Sequence, residues 1–160
     1  MNHDQYDDVY IRDILRRTRR IAMVGASPNW NRPSYFVMKY LLTKGYRVIP
    51  INPGVAGKEI LGQTVVGSLA ELEGEVDMVD IFRNSEAAGP VADEAVRIGA
   101  GVVWMQLSVR NDAAAARAEA QGAAVVMNRC PKIEFARLFG EIGMSGVNSG
   151  VITSKRRRPA

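Results

Sequence analysis

The chain is poor in the residues on which most side-chain chemistry depends. Among 160 residues there is one cysteine, Cys130, and one histidine, His3. A single cysteine excludes an intrachain disulfide and the stapled class of small secreted domains. A single histidine, in a polar terminus expected to be mobile, removes the Ser-His and Cys-His nucleophile schemes. No Cys/His cluster is available for zinc, so no metal is expected. No apolar run reaches the ~18–20 residues that span a bilayer, so no membrane partner is expected. Met1 to Asp8 is polar and acidic, which predicts no secretory leader and a cytoplasmic location.

The formal net charge of +4 invites a nucleic-acid reading, but its location argues against one. Lys155, Arg156, Arg157 and Arg158 form a terminal run, and without those four the 21 basic residues fall to 17, against 17 acidic ones. Affinity for nucleic acid needs phosphate contacts spread over a surface. The run reads as a solvated tail. If instead the tail bound nucleic acid, deleting 155–158 would abolish that binding. Arg16, Arg17, Arg19 and Arg20 close the first helix, where cations complement the helix dipole. Neither cluster is interleaved with aromatics.

Hydrophobic residues make up 47% of the chain and charged residues 24%, as in an ordinary globular domain. Tyr10, Ile11, Ile14 and Leu15 form the apolar stripe of a helix over 6–17. Residues 20–26 read Arg-Ile-Ala-Met-Val-Gly-Ala, the continuous apolar run of a strand buried on both faces. Pro33 then opens a helix that ends at Gly45. Further strands are expected at 46–51, 76–82, 101–107 and 123–127. Helices are expected at 86–98, capped by Ser85, at 111–121 and at 131–142. Ser68 to Leu72 looks like a capped helical turn.

Strand–helix alternation of this kind predicts an α/β fold: one Rossmann-like, doubly wound domain with helices on both faces of a five-stranded parallel sheet. The expected strand order, counted along the chain, is 3-2-1-4-5. Residues 1–143 form this domain, and 144–160 form an extended basic tail.

Ligands of such sheets bind beyond the carboxyl ends of the strands, where the order reverses. The first loop carries Gly25-Ala26-Ser27, then Arg32, Pro33 and Ser34 at a helix start. Backbone N–H groups and the helix dipole there suit a pyrophosphate, and Arg32 adds a charge-assisted bond. An ordinary capped loop with a surface arginine is the competing reading. The loop is not a G-x-G-x-x-G fingerprint, since Ser27 and Trp30 stand at the second and third glycine positions. The second strand ends Ile51-Asn52-Pro53, without the carboxylate that holds a nicotinamide ribose. An NAD(P)-dependent oxidoreductase domain is therefore the weaker alternative. No G-x-x-x-x-G-K-[ST] loop occurs.

Six segments in register resemble the small bacterial and archaeal CoA-binding proteins, relatives of the CoA-binding domain of the succinyl-CoA synthetase alpha subunit. They are Ile21 to Ser27 with Arg32-Pro33-Ser34, Gly45 to Pro53, Val79 to Arg83, Val103 to Leu107, Asn128 to Pro131, and Glu134. The resemblance spans roughly residues 18–140. It implies coenzyme A or an acyl-CoA as ligand. It places Gly25, Ala26 and Ser27 at the pyrophosphate with Arg32 and Ser34 nearby, and Asn52 and Pro53 beside the adenosine. Phe82 and Arg83 would flank the ligand, and Gln106 would face the pantetheine arm. Family members often carry a histidine after the glutamate of the last helix, where this chain has Phe135, so any role for that histidine is missing.

Cys130, before Pro131 at a helix start, has two readings. It is a small buried residue at a helix cap, the favoured reading, or a thiol forming a mixed disulfide with CoA. Glu134 supports the first turn of that helix through the dipole. Asp77 and Asp80 fall on opposite faces of the third strand and form no acid/base pair. Asp80 is expected to hydrogen-bond neighbouring backbone. Trp104 and Met105 read as core. No catalytic residue is expected, and the function expected is binding, in a carrier, sensor or regulator.

Overall fold

The computed structural model describes residues 1–140. The expected basic tail lies outside the described residues, and the last helix closes at Phe139 with Gly140 as its cap rather than at the expected 142. Along the chain the elements are α1 (Asp8–Arg17), β1 (Arg20–Val24), α2 (Pro33–Thr43), β2 (Arg47–Ile51), β3 (Glu59–Ile60), β4 (Gln63–Thr64), β5 (Met78–Ile81), α3 (Ser85–Arg97), β6 (Val102–Met105), α4 (Asp112–Ala120), β7 (Ala124–Val126) and α5 (Pro131–Phe139). Short 3₁₀ turns at Pro53–Val55 and Leu69–Glu71 fill the passage from β2 to β5. Asn84, not Ser85, caps α3, its side chain accepting the Ala87 N–H.

Five parallel strands form the sheet in the order β2-β1-β5-β6-β7, while β3 and β4 form a separate small hairpin. Counted among the five long strands, this is 2-1-3-4-5 rather than the expected 3-2-1-4-5. The third long strand pairs with β1, Ile21 opposite Met78 and Val24 opposite Ile81. Two features exclude the expected order. Pro50 lies within β2 and has no N–H to donate, which suits an edge strand. The outer side of β2 is taken instead by the segment after the hairpin: Val66 N–H donates to the Pro50 carbonyl, and Asn52 N–H to that of Val66.

The opposite edge, β7, is closed by side chains. The Tyr10 hydroxyl donates to the Val125 carbonyl and accepts from its N–H, and the Tyr6 hydroxyl accepts from Met127 N–H. Burial drives the Tyr10 pKa up to about 12, so the hydroxyl remains a donor at every physiological pH. Covered edges cannot recruit a foreign strand. Tyr6 also holds His3, whose ring bonds the Tyr6 hydroxyl through Nδ1 and the Glu119 carboxylate through Nε2. His3 is 8% exposed. The terminus expected to be mobile is docked on α4, because three partners satisfy the ring and phenol together.

Residues alternate across the strands. Ile21, Met23, Met78, Trp104 and Val126 face α1, α2 and α5 in one core. Ala22, Val24, Val79, Ile81, Val103, Met105 and Val125 face α3 and α4 in the other. Trp104 and Met105 are core residues, as read from the sequence, each fully buried. Asp80 is also fully buried, but neither carboxylate oxygen has a hydrogen-bond partner. The backbone bonds expected for it are absent because the neighbouring N–H groups are spent in the ladder with β1 and β6. Desolvation raises its pKa well above the carboxylate range, which keeps the acid protonated and less costly to bury. Asp77 lies just outside β5 and accepts the backbone N–H groups of Arg19 and Arg20.

Candidate functional site

The carboxyl ends of β1 and β5 meet at the switch point. After β1 the chain turns to α2 on one face, and after β5 it turns to α3 on the other. Gly25 makes the first turn with φ 87°, a left-handed conformation that suits glycine. It also lies so close to β5 that an added methyl would collide with the Phe82 carbonyl oxygen. Two loops and two helix starts thus converge, each helix start offering unpaired N–H groups and a positive dipole end.

Hydrogen bonds fix these loops internally. Asn52 Nδ2 donates to the Ala26 carbonyl at 2.8 Å while its Oδ1 accepts the Gly54 N–H at 2.8 Å. Ser27 N–H donates to Ser34 Oγ at 3.0 Å, and Ser27 Oγ accepts the Asn29 N–H at 3.1 Å. Farther along the edge, Asn128 Oδ1 accepts the Ser108 N–H at 2.7 Å, with both residues at positive φ. Ser85 Oγ accepts the Arg110 N–H.

The cations, by contrast, are uncommitted. Among the described residues, the guanidinium groups of Arg32, at the start of α2, and Arg83, before α3, have no hydrogen-bond or ion-pair partner. Gln106 is 7% exposed, and its Oε1 has no partner either. A buried acceptor left open asks for a donor. Uncommitted cations at two helix starts, a close backbone approach at Gly25 and an open amide oxygen fit an anionic ligand that also carries N–H groups.

A cleft of 410 Å³ opens on the α3 side of this edge, lined by Val24, Gly25, Ile51, Asn52, Pro53 and Arg83, and by Gly67, Ser68, Leu69, Pro90, Val91 and Glu94. Of the residues singled out from the sequence, Gly25, Asn52, Pro53 and Arg83 come together in it. Ser27, Arg32 and Ser34 gather at the start of α2, with the Ser34 side chain turned inward and 4% exposed. Ala26 and Phe82 do not line the cleft. The Ala26 methyl is buried in the α2-side core and Phe82 packs against that core, so from Ala26 only the backbone is near the site. Sequence reasoning missed the other eight lining residues, among them Pro90, Val91 and Glu94 on α3. The spacing of these three along one helix face is the only signal they carry, and it is shared with any amphipathic helix.

Cys130 is 5% exposed and stands at the start of α5 without a side-chain capping bond. That matches the buried-residue reading. Glu134 pairs with Arg137, which also reaches Asp8 on α1. Its role is therefore to tie α5 to α1 as well as to favour the dipole. Among the described residues, no group of three or more His, Cys, Asp or Glu is placed to hold a metal ion, and no helix is long and apolar enough to cross a membrane.

Comparison with known proteins converges on one family. The Bacillus subtilis (strain 168) protein YneT is 39% identical over 126 residues, which is 79% of this chain and 92% of that protein. A hypothetical protein from Pyrococcus horikoshii OT3 superposes with a TM-score of 0.81 at 38% identity, covering 88% of this chain and 97% of that one. A Thermus thermophilus protein gives a TM-score of 0.79 at 35% identity, covering 84% and 100%. The profile of the CoA binding domain family matches residues 19–136, and the chain belongs to that family.

Proposed function

We propose that this protein binds coenzyme A or an acyl-CoA reversibly across the carboxyl edge of the sheet and catalyses no reaction on it. It would act in the cytoplasm as a carrier, sensor or regulator. The observation that carries the reading is the pair of uncommitted arginines, Arg32 and Arg83, one at each helix start of the switch point. Arginine in such a place is suited to phosphate, through charge-assisted and bidentate bonds. Of the backbone donors of Gly25, Ala26 and Ser27, the Ala26 N–H is the one without a partner among the described residues; it would meet the pyrophosphate, with the Ser34 hydroxyl nearby. Asn52 and Pro53 would border the adenosine in the cleft, and Phe82 would flank the ligand. Gln106 Oε1 would accept an amide N–H of the pantetheine arm.

A nicotinamide dinucleotide fits less well. The Asn52 amide is held by its bonds to Ala26 and Gly54, and the end of β2 offers no carboxylate to a ribose. Binding is tested by thermal-shift titration with CoA, acetyl-CoA, NAD and ATP in parallel. Ligand at 100 times its dissociation constant adds about 2.7 kcal/mol, a rise of roughly 5–10 °C for a domain of this size. A rise with CoA and little with NAD is expected. A rise with NAD alone, or none with CoA, would overturn the proposal.

A further inference from the structure

The cleft on the α3 side has a charge pattern that the phosphate reading does not use. Arg83 stands at one end of the lining, just before the start of α3. Glu94 stands on the same helix, and a rise of ~1.5 Å per residue puts it about 13 Å from Ser85. The lining also holds the apolar side chains of Val24, Ile51, Leu69, Pro90 and Val91, beside the polar Asn52 and Ser68. Pro90, Val91 and Glu94 share a helix face, so the carboxylate continues the wall that the proline and valine begin. Among the described residues, Glu94 makes no side-chain hydrogen bond or ion pair. The cleft therefore combines a cation, apolar side chains and a free acceptor.

We infer that Glu94 selects the base of the bound nucleotide, favouring a purine with an amino group at its 6-position. The inference rests on the CoA reading above and adds base selectivity to it. A nucleotide carries the matching groups: phosphate, an apolar-faced ring and an edge of hydrogen-bonding groups. An ionised carboxylate only accepts hydrogen bonds. An exocyclic amine donates to it. A 6-oxo group would present a lone pair to the negative charge and move the donor of that edge to N1, so the base would have to shift to satisfy the carboxylate.

The experiment is calorimetric titration of the whole chain with CoA and with its deaminated, hypoxanthine-containing analogue, repeated with Glu94→Gln. The wild type should bind CoA about tenfold or more tightly than the analogue. The glutamine amide can turn either its N–H or its oxygen to the base, so E94Q should bring the two affinities within about threefold, with an unchanged melting temperature. Equal affinities in the wild type, with CoA binding intact, would overturn the role of Glu94 and leave the CoA reading standing. A preference for CoA that survives in E94Q would do the same. Failure of the wild type to bind CoA at all would overturn both.

Discussion

The two faces of the sheet are built from different materials. Toward α1, α2 and α5 the core holds Met23, Met38, Trp104, Phe135 and Phe139, with Phe135 in ring contact with Tyr40, Tyr46 and Phe139. Toward α3 and α4 it holds Ala88, Ala92, Ala95, Ala114, Ala115 and Ala118 against valine and isoleucine. Large side chains hold helices away from a sheet, whereas alanine lets them approach. The α3 side thus depends on close contact rather than on side-chain bulk, and there the 3₁₀ turn at Leu69–Glu71 stands across from α3 to leave the cleft. The bulky face supplies stability and the small-residue face supplies the recess. Each face also brings to the carboxyl edge an arginine without a partner among the described residues, Arg32 at the start of α2 and Arg83 before α3.

This contrast breaks in opposite directions on the two sides. Phe135→Ala should give the largest loss, about 3–5 kcal/mol, read from urea denaturation midpoints. A loss below about 1 kcal/mol would mean that the aromatic cluster contributes little. Arg32→Ala and Arg83→Ala should each weaken CoA binding by about 1.5–3 kcal/mol, with the melting temperature unchanged. If only one of them does so, the phosphates lie on that residue's face of the sheet. On the alanine side enlargement is the damaging change: Ala92→Leu should cost about 1–3 kcal/mol by overpacking, and a neutral result would show slack between α3 and the sheet.

The effect most distinctive in sign belongs to Asp80, the fully buried acid on the bulky side of the sheet. Its folded-state pKa is raised by desolvation, so above about pH 4 the unfolded chain releases a proton that the folded chain keeps. Its contribution to stability is complete below that pH and declines as pH rises through the folded-state pKa. Asp80→Asn should flatten this decline when denaturation is compared at about pH 5 and pH 8. An equal slope in wild type and variant would show that another group sets the pH dependence.

Much of the edge was legible in the sequence because loops after buried strands have few places to go. Gly25, Asn52, Pro53 and Arg83 are brought together by the parallel sheet alone. The strand order was not legible from alternation, since right-handed crossovers permit both arrangements. Pro50 was the available clue, because a proline in a strand has no N–H for an outer neighbour. The docking of His3 was not legible because a polar terminus is held only by long-range partners, here Glu119, 116 residues away. Glu94 escaped because a helix-face carboxylate usually faces solvent.

The loops at the carboxyl edge already hold one another. Asn52 ties to Ala26, Ser27 to Ser34, and Asn128 to Ser108. A site completed in this way has little ordering left to do when a molecule arrives. Association should therefore be fast and, with two arginines facing the incoming phosphates, slowed by salt. Differences among ligands should appear in how long each one stays.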